Sequence, residues 1–115
     1  MAQPVARSFE RADEVVETPE GGRGEVVELN GKRIARVTAG PGWRWSTHVK
    51  PKAGTESCEN EHIGYMVRGR LAIRMDDGTE LEVGPGEAYH VPPGHDAWVV
   101  GDEPAVSIDF SSLVR

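Results

Sequence analysis

The stretch from Val83 to Val100, VGPGEAYHVPPGHDAWVV, decides the fold. Gly84-Pro85-Gly86 ends one apolar run, Pro92-Pro93-Gly94 ends the next, and between and after them stand only Ala88 to Val91 and Ala97 to Val100. Proline fixes φ and removes a backbone donor, while glycine accepts left-handed backbone, so such clusters mark turns and not helix interiors. Apolar runs of this length bounded by turns read as strands.

The same punctuation extends upstream. His62 to Val67 and Leu71 to Met75 are β-rich runs joined at Arg68-Gly69-Arg70, and Asp76-Asp77-Gly78 turns the chain into Thr79 to Val83. Earlier still, Val26 to Leu29 and Ile34 to Val37 flank Asn30-Gly31, a pair suited to a two-residue hairpin turn with positive φ at both positions. Trp43, Trp45 and Thr47 alternate with Arg44, Ser46 and His48, which predicts a strand with indoles on one face and His48 on the other. Pro51 to Glu61 shows no periodicity and reads as a loop, and Ala105 to Phe110 closes the chain. No segment carries a helical stripe; Phe9 to Val16 comes nearest but has few apolar residues and is soon followed by Pro19. The expectation is an all-β domain of eight or nine short strands, sandwich or closed barrel.

Composition agrees. The 115 residues, with 14 Gly and 8 Pro, suit one domain rich in turns. A formal charge of −6 gives no basic field for phosphates, so nucleic-acid binding is not expected. No apolar run is long enough for a membrane span, and the first ten residues lack the apolar core of a secretory signal, so the expected location is the cytoplasm. The single cysteine, Cys58, cannot form an internal disulfide. Residues 1–23 read as an N-terminal arm, its first dozen residues a frayed end or a strand lent to another sheet, and 24–115 as the barrel domain. Ile63, Tyr65 and Val67 alternate with Gly64 and Met66, so both faces of that strand are largely apolar. One face lines the interior; the other needs a cover, from the arm or from a second subunit, and a homodimer is expected.

The glycine, proline and histidine frame resembles that of the cupin superfamily, small jelly-roll β-barrels with an interior site, over about Val37 to Phe110. In the first cupin motif a glycine is followed after five residues by histidine, as Gly42 is here by His48. Lys50 stands at the second histidine position, and after an enlarged loop His62 stands at the glutamate position, six residues before Gly69. In the second motif Gly86, Pro92 and Gly94 match, Ala97 holds the histidine position, and His95 lies two residues earlier, a shift that keeps the strand face.

The resemblance places His48, His62 and His95 around one cavity and implies a three-histidine site for a divalent transition metal, Fe, Zn, Ni or Cu, with positions open to water or substrate. Cys58, four residues before His62 in the loop, is a candidate fourth, soft ligand. Glu56 is a loop charge that could serve as ligand or base, Lys50 a rim lysine or an inward anchor for an anion, and His90 a non-ligand by strand parity. The expected function is a metal-dependent enzyme of the oxygenase, isomerase or lyase class on a small organic molecule. The alternative is a metal-free domain that binds or senses a small ligand, its histidines being satisfied interior side chains.

Overall fold

A computed structural model of the chain describes residues 3–18 and 21–113. Among these residues nine strands form: β1 (Glu14–Glu17), β2 (Gly22–Leu29), β3 (Lys32–Ala39), β4 (His62–Arg68), β5 (Arg70–Met75), β6 (Glu80–Val83), β7 (Ala88–Val91), β8 (His95–Val100) and β9 (Ala105–Asp109). Two one-turn helices, α1 (Trp45–His48) and α2 (Lys50–Ala53), lie between β3 and β4. The strands make two antiparallel sheets, one in the order β1-β2-β3-β9-β4-β7 and one in the order β6-β5-β8. No helix among the described residues is long and apolar enough to cross a membrane.

Local chemistry sets the turns. Asn30 (φ 52°) and Gly31 (φ 82°) both take left-handed backbone, and the turn pairs Leu29 with Lys32 and Val26 with Ala35. At Gly69 (φ 76°) the chain leaves the six-stranded sheet for the three-stranded one. A Cβ there would lie 2.2 Å from the Pro104 carbonyl oxygen, so only glycine fits.

The core lies between the sheets and follows the two-residue period. On β8, His95, Ala97 and Val99 are buried while Asp96, Trp98 and Val100 are half-buried. Met66 of β4 is fully enclosed and packs in one cluster with Ile73, Val83 and Val91. Truncating such a side chain to alanine costs about 2–5 kcal/mol.

Two expectations change. The segment read as a strand at Trp43 to His48 turns into α1 after Arg44, and the predicted loop begins with α2. Alternation over six residues is too short to separate a strand from one helical turn, and local contacts decide. The Arg44 backbone N–H donates to His48 Nδ1 at 3.0 Å, Trp45 is buried, Pro51 sits in the first turn of α2 where no N–H is needed, and Gly54 (φ 76°) ends it. Trp43 and Arg44 instead cover the edge of β8, with Val99 N donating to Trp43 O at 3.0 Å and the Arg44 guanidinium over Trp98.

The N-terminal segment lies against its own chain. β1 pairs with β2 of its own chain, and the 23/24 boundary falls inside β2. Phe9 lies beneath the Arg36 guanidinium, 5.4 Å from ring centre to carbon, so the arm covers part of the outer face of the large sheet.

Candidate metal centre

The inward residues of four strands converge on one interior cavity of about 410 Å³. β4 contributes His62 and Met66, β9 Ala105, Ser107 and Asp109, β7 Tyr89 and Val91, and β8 His95 and Ala97. In each strand these residues are two or four apart, as one face of a strand requires. The shift of His95 from the expected Ala97 position therefore leaves it on the inward face, and both residues are buried.

Cys58, His62 and His95 come together at this cavity, one donor atom from each lying within 4.8 Å of the others. Cys58 Sγ is 3.7 Å from His62 Nε2, and the two imidazoles meet edge to face with centroids 5.2 Å apart. The thiol is held by the backbone: Cys58 N donates to His95 O at 2.7 Å, and Gly94 N and His95 N donate to Cys58 O at 2.8 and 3.2 Å. The loop thus adds a bridge to the start of β8.

Both rings are oriented from behind. His95 Nδ1 donates to the Pro92 carbonyl at 2.9 Å, and His62 Nδ1 faces Asp109 Oδ2 at 3.4 Å. With each Nδ1 engaged by an acceptor, Nε2 is the nitrogen left to bind an ion, the arrangement by which outer partners fix metal-binding histidines. Asp109 is itself fixed, accepting from Ser111 N at 2.7 Å. Burial raises its pKa, but hydrogen bonds from His62 and Ser111 outweigh that and hold it below the usual carboxylate range.

The same contacts polarise the pair in front. Burial disfavours the Cys58 thiolate, yet hydrogen bonds from His62 and His95 prevail and lower its pKa to about 6. Asp109 first, and Cys58 second, raise His62 to about 9. Without an ion the neutral-pH site is a thiolate beside an imidazolium. A cation with thiolate and imidazole ligands replaces that proton with its own charge. One sulfur and two imidazole nitrogens are a fitting donor set for a borderline-soft divalent ion, and 3.7 Å between sulfur and nitrogen suits two ligands at bond lengths of ~2.3 and ~2.0 Å.

The remaining candidates lie elsewhere. His48, expected with His62 and His95, is on α1, where its Nδ1 is engaged by the Arg44 backbone, and it does not join the group. The helical turn that replaces the predicted strand carries it away. Lys50, on α2, pairs with the exposed Glu56 at 2.9 Å and does not line the cavity. His90 faces out, 2.7 Å from Glu61. Asp109 escaped the sequence reading altogether; its signal was the inward parity of Ala105, Ser107 and Asp109 at the end of the last strand.

Two sheets enclosing an apolar cavity with a convergent set of ligating side chains define a small β-barrel built around an interior site. The cupin domain family matches residues 45–111, and the chain belongs to it. No curated protein matches. Among solved structures, KdgF from Halomonas sp. is similar at 20% identity and a TM-score of 0.57, over 84% of this chain and 82% of that one. A cupin-like protein from Thermotoga maritima is similar at 18% identity and a TM-score of 0.59, over 95% and 83%. A variant of the oxalate decarboxylase of Bacillus subtilis is similar at 24% identity and a TM-score of 0.56, over 87% of this chain but 28% of that one. At these identities the likeness speaks for the fold alone.

Proposed function

We propose that this chain holds a divalent transition metal on Cys58, His62 and His95 and acts as a metal-dependent enzyme on a small organic molecule in the adjoining cavity. The observation that carries this reading is the convergence of three donors whose rings are each aimed from behind, His62 by Asp109 and His95 by Pro92. A second support is the neighbouring fold: the Bacillus subtilis oxalate decarboxylase has Mn(II) centres.

An ion bound here supplies Lewis acidity toward a substrate oxygen, or a site for water or dioxygen, as oxygenase, isomerase and lyase chemistry requires. Thiolate and imidazole donors favour Fe, Zn, Ni or Cu. The chain's own residues do the rest. Asp109 holds the His62 Nδ1 proton and leaves Nε2 to face Cys58, the Cys58–His95 bridge fixes the thiolate, and burial shields Cys58 and His95 from bulk water. Elemental analysis of untagged protein, before and after reconstitution, tests the reading. About one transition-metal ion per chain is expected; none after reconstitution removes it.

The second reading, a metal-free domain that binds or senses a small molecule, draws on the cavity walls, where Trp43, Trp45, Met66, Leu71 and Ile73 offer apolar surface. A ligand that raises the melting temperature of chelator-treated protein, unaffected by added metal, would favour it. A cytoplasmic location, without nucleic acid or membrane as partner, is part of the same proposal and draws on the formal charge of −6. The homodimer belongs to the same proposal: Tyr65 and Val67 stay 43% and 48% exposed on the outer face of β4. Sedimentation as a dimer that Tyr65→Glu converts to monomer is the expected result, and a wild-type monomer at micromolar concentration rejects it.

A further inference from the structure

The cavity that adjoins Cys58, His62 and His95 is unevenly furnished. Asp109 stands beside His62, and Ser107 lies two residues before it on the same inward face of β9, so that part of the lining carries polar groups together with the two histidines and the cysteine. Thr18, Thr38, Asn60 and Arg23 also line the cavity, but most of the remaining wall is indole and aliphatic, from Trp43, Trp45, Val49, Leu71, Ile73 and Val91.

Charge is as telling as polarity. Among the described residues the lining contains no lysine and one arginine, Arg23. That guanidinium is already committed, paired with Glu17 and, at 3.4 Å, with the buried Glu25. The two histidines are engaged as well, His62 with Asp109 and Cys58 and His95 with the Pro92 carbonyl, so no side chain of the cavity is free to neutralise a carboxylate or phosphate, while Asp109 adds a negative charge. A thiolate ligand would also offset half the charge of a divalent ion held there. An anion brought into such a place loses its hydration and finds no free side-chain cation to replace it.

Size narrows the class further. A cavity of ~150 Å³ lined by apolar residues holds one benzene, so about 410 Å³ suits a molecule of roughly two fused rings or an equivalent branched hydrocarbon.

We propose that the cavity takes an uncharged, largely apolar molecule of bicyclic size, its single polar head, an alcohol, carbonyl or thiol, directed at Cys58, His62 and His95, and that it excludes carboxylates. This deepens the proposed function by naming the substrate class of that same site, and it rests on that reading for the direction of the head. The apolar wall fixes the ring system, and the polar head replaces the water that the donors would otherwise hold.

The test uses a matched pair of probes, 2-naphthalenemethanol and 2-naphthoate, titrated calorimetrically into the full chain at neutral pH, once loaded with zinc and once treated with chelator. The alcohol is expected to bind at least tenfold more tightly than the carboxylate. Val37 lines the cavity from β3 and is 36% exposed, so it has room for a longer side chain. Val37→Arg is expected to bring naphthoate to within threefold of the alcohol by supplying the missing cation. Equal or tighter binding of naphthoate by the unaltered protein, or binding of neither probe, overturns the proposal whatever the variant does. The two readings fail separately. Protein that takes up zinc yet prefers naphthoate sinks the substrate class alone, whereas protein that rejects zinc yet prefers the alcohol sinks the metal reading alone.

Discussion

Cys58 and His95 are joined through their backbones, Cys58 N to His95 O at 2.7 Å and His95 N to Cys58 O at 3.2 Å. The thiol therefore does not depend on a free loop for its position. A ligand held by a strand-like bridge loses little conformational freedom when an ion binds, which favours tight coordination.

The donors should separate cleanly from the bystander histidine. His62→Ala and Cys58→Ser are expected to lower metal content well below that of the unaltered protein, while His48→Ala leaves it unchanged. In cobalt-substituted protein, a near-ultraviolet sulfur-to-metal charge-transfer band should be present and should vanish in Cys58→Ser. Loss of metal in His48→Ala at full helical and strand content would contradict the placement of His48 on α1.

Asp109 acts through His62. Asp109→Asn removes the charge behind Nδ1 at 3.4 Å while keeping the side chain's shape. The expected effect is a 10–100-fold loss of metal affinity, the range seen when such outer partners are removed, together with a lower melting temperature of the metal-free protein at neutral pH, where Asp109 stabilises the His62 imidazolium. Competition with a chromophoric chelator measures it.

Gly64 is a matter of space. A Cβ there would lie 2.6 Å from Tyr89 Oη and 2.7 Å from the Ile108 carbonyl oxygen. Gly64→Ala should destabilise the fold by about 1–3 kcal/mol, seen as a lower urea midpoint. Removing the Tyr89 ring in the double variant should restore only part of this, because the second obstacle is backbone.

Acid stability should depend on Glu25. This carboxylate is buried and accepts from Arg36 Nε at 2.7 Å and Nη2 at 2.9 Å, and the Arg36 contact, against the opposing effect of burial, holds its pKa below 4.5. A depressed folded-state pKa means that the unfolded chain binds the proton first. The stabilisation is complete above about 4.5 and is lost as pH falls through the folded-state value. Glu25→Gln should be less stable at pH 7 and should show a shallower loss of stability below pH 4.5 than the unaltered protein, in denaturant titrations across that range.

Much of the fold was legible because it is written in turns. Asn30-Gly31 and Gly69 each demand a backbone that few other residues accept, and the runs between such points are too short for helices. The parity of His62 and His95 was legible too, since a strand fixes which face a side chain takes. Cys58 was harder to place: its position follows from a bridge to β8, across a separation of chain that no local pattern reports. Trp43 to His48 misled because one helical turn and a short strand leave nearly the same trace in six residues. Asp109 went unnoticed because an acidic residue at a strand end is ordinary until its neighbour across the sheet is known.

His62 hangs from the six-stranded sheet and His95 from the three-stranded one. Anything that grips both rings at once is a buckle fastened across the seam of the sandwich. Emptying the site and loosening that end of the barrel are then a single event, so chemistry and architecture share one point of failure.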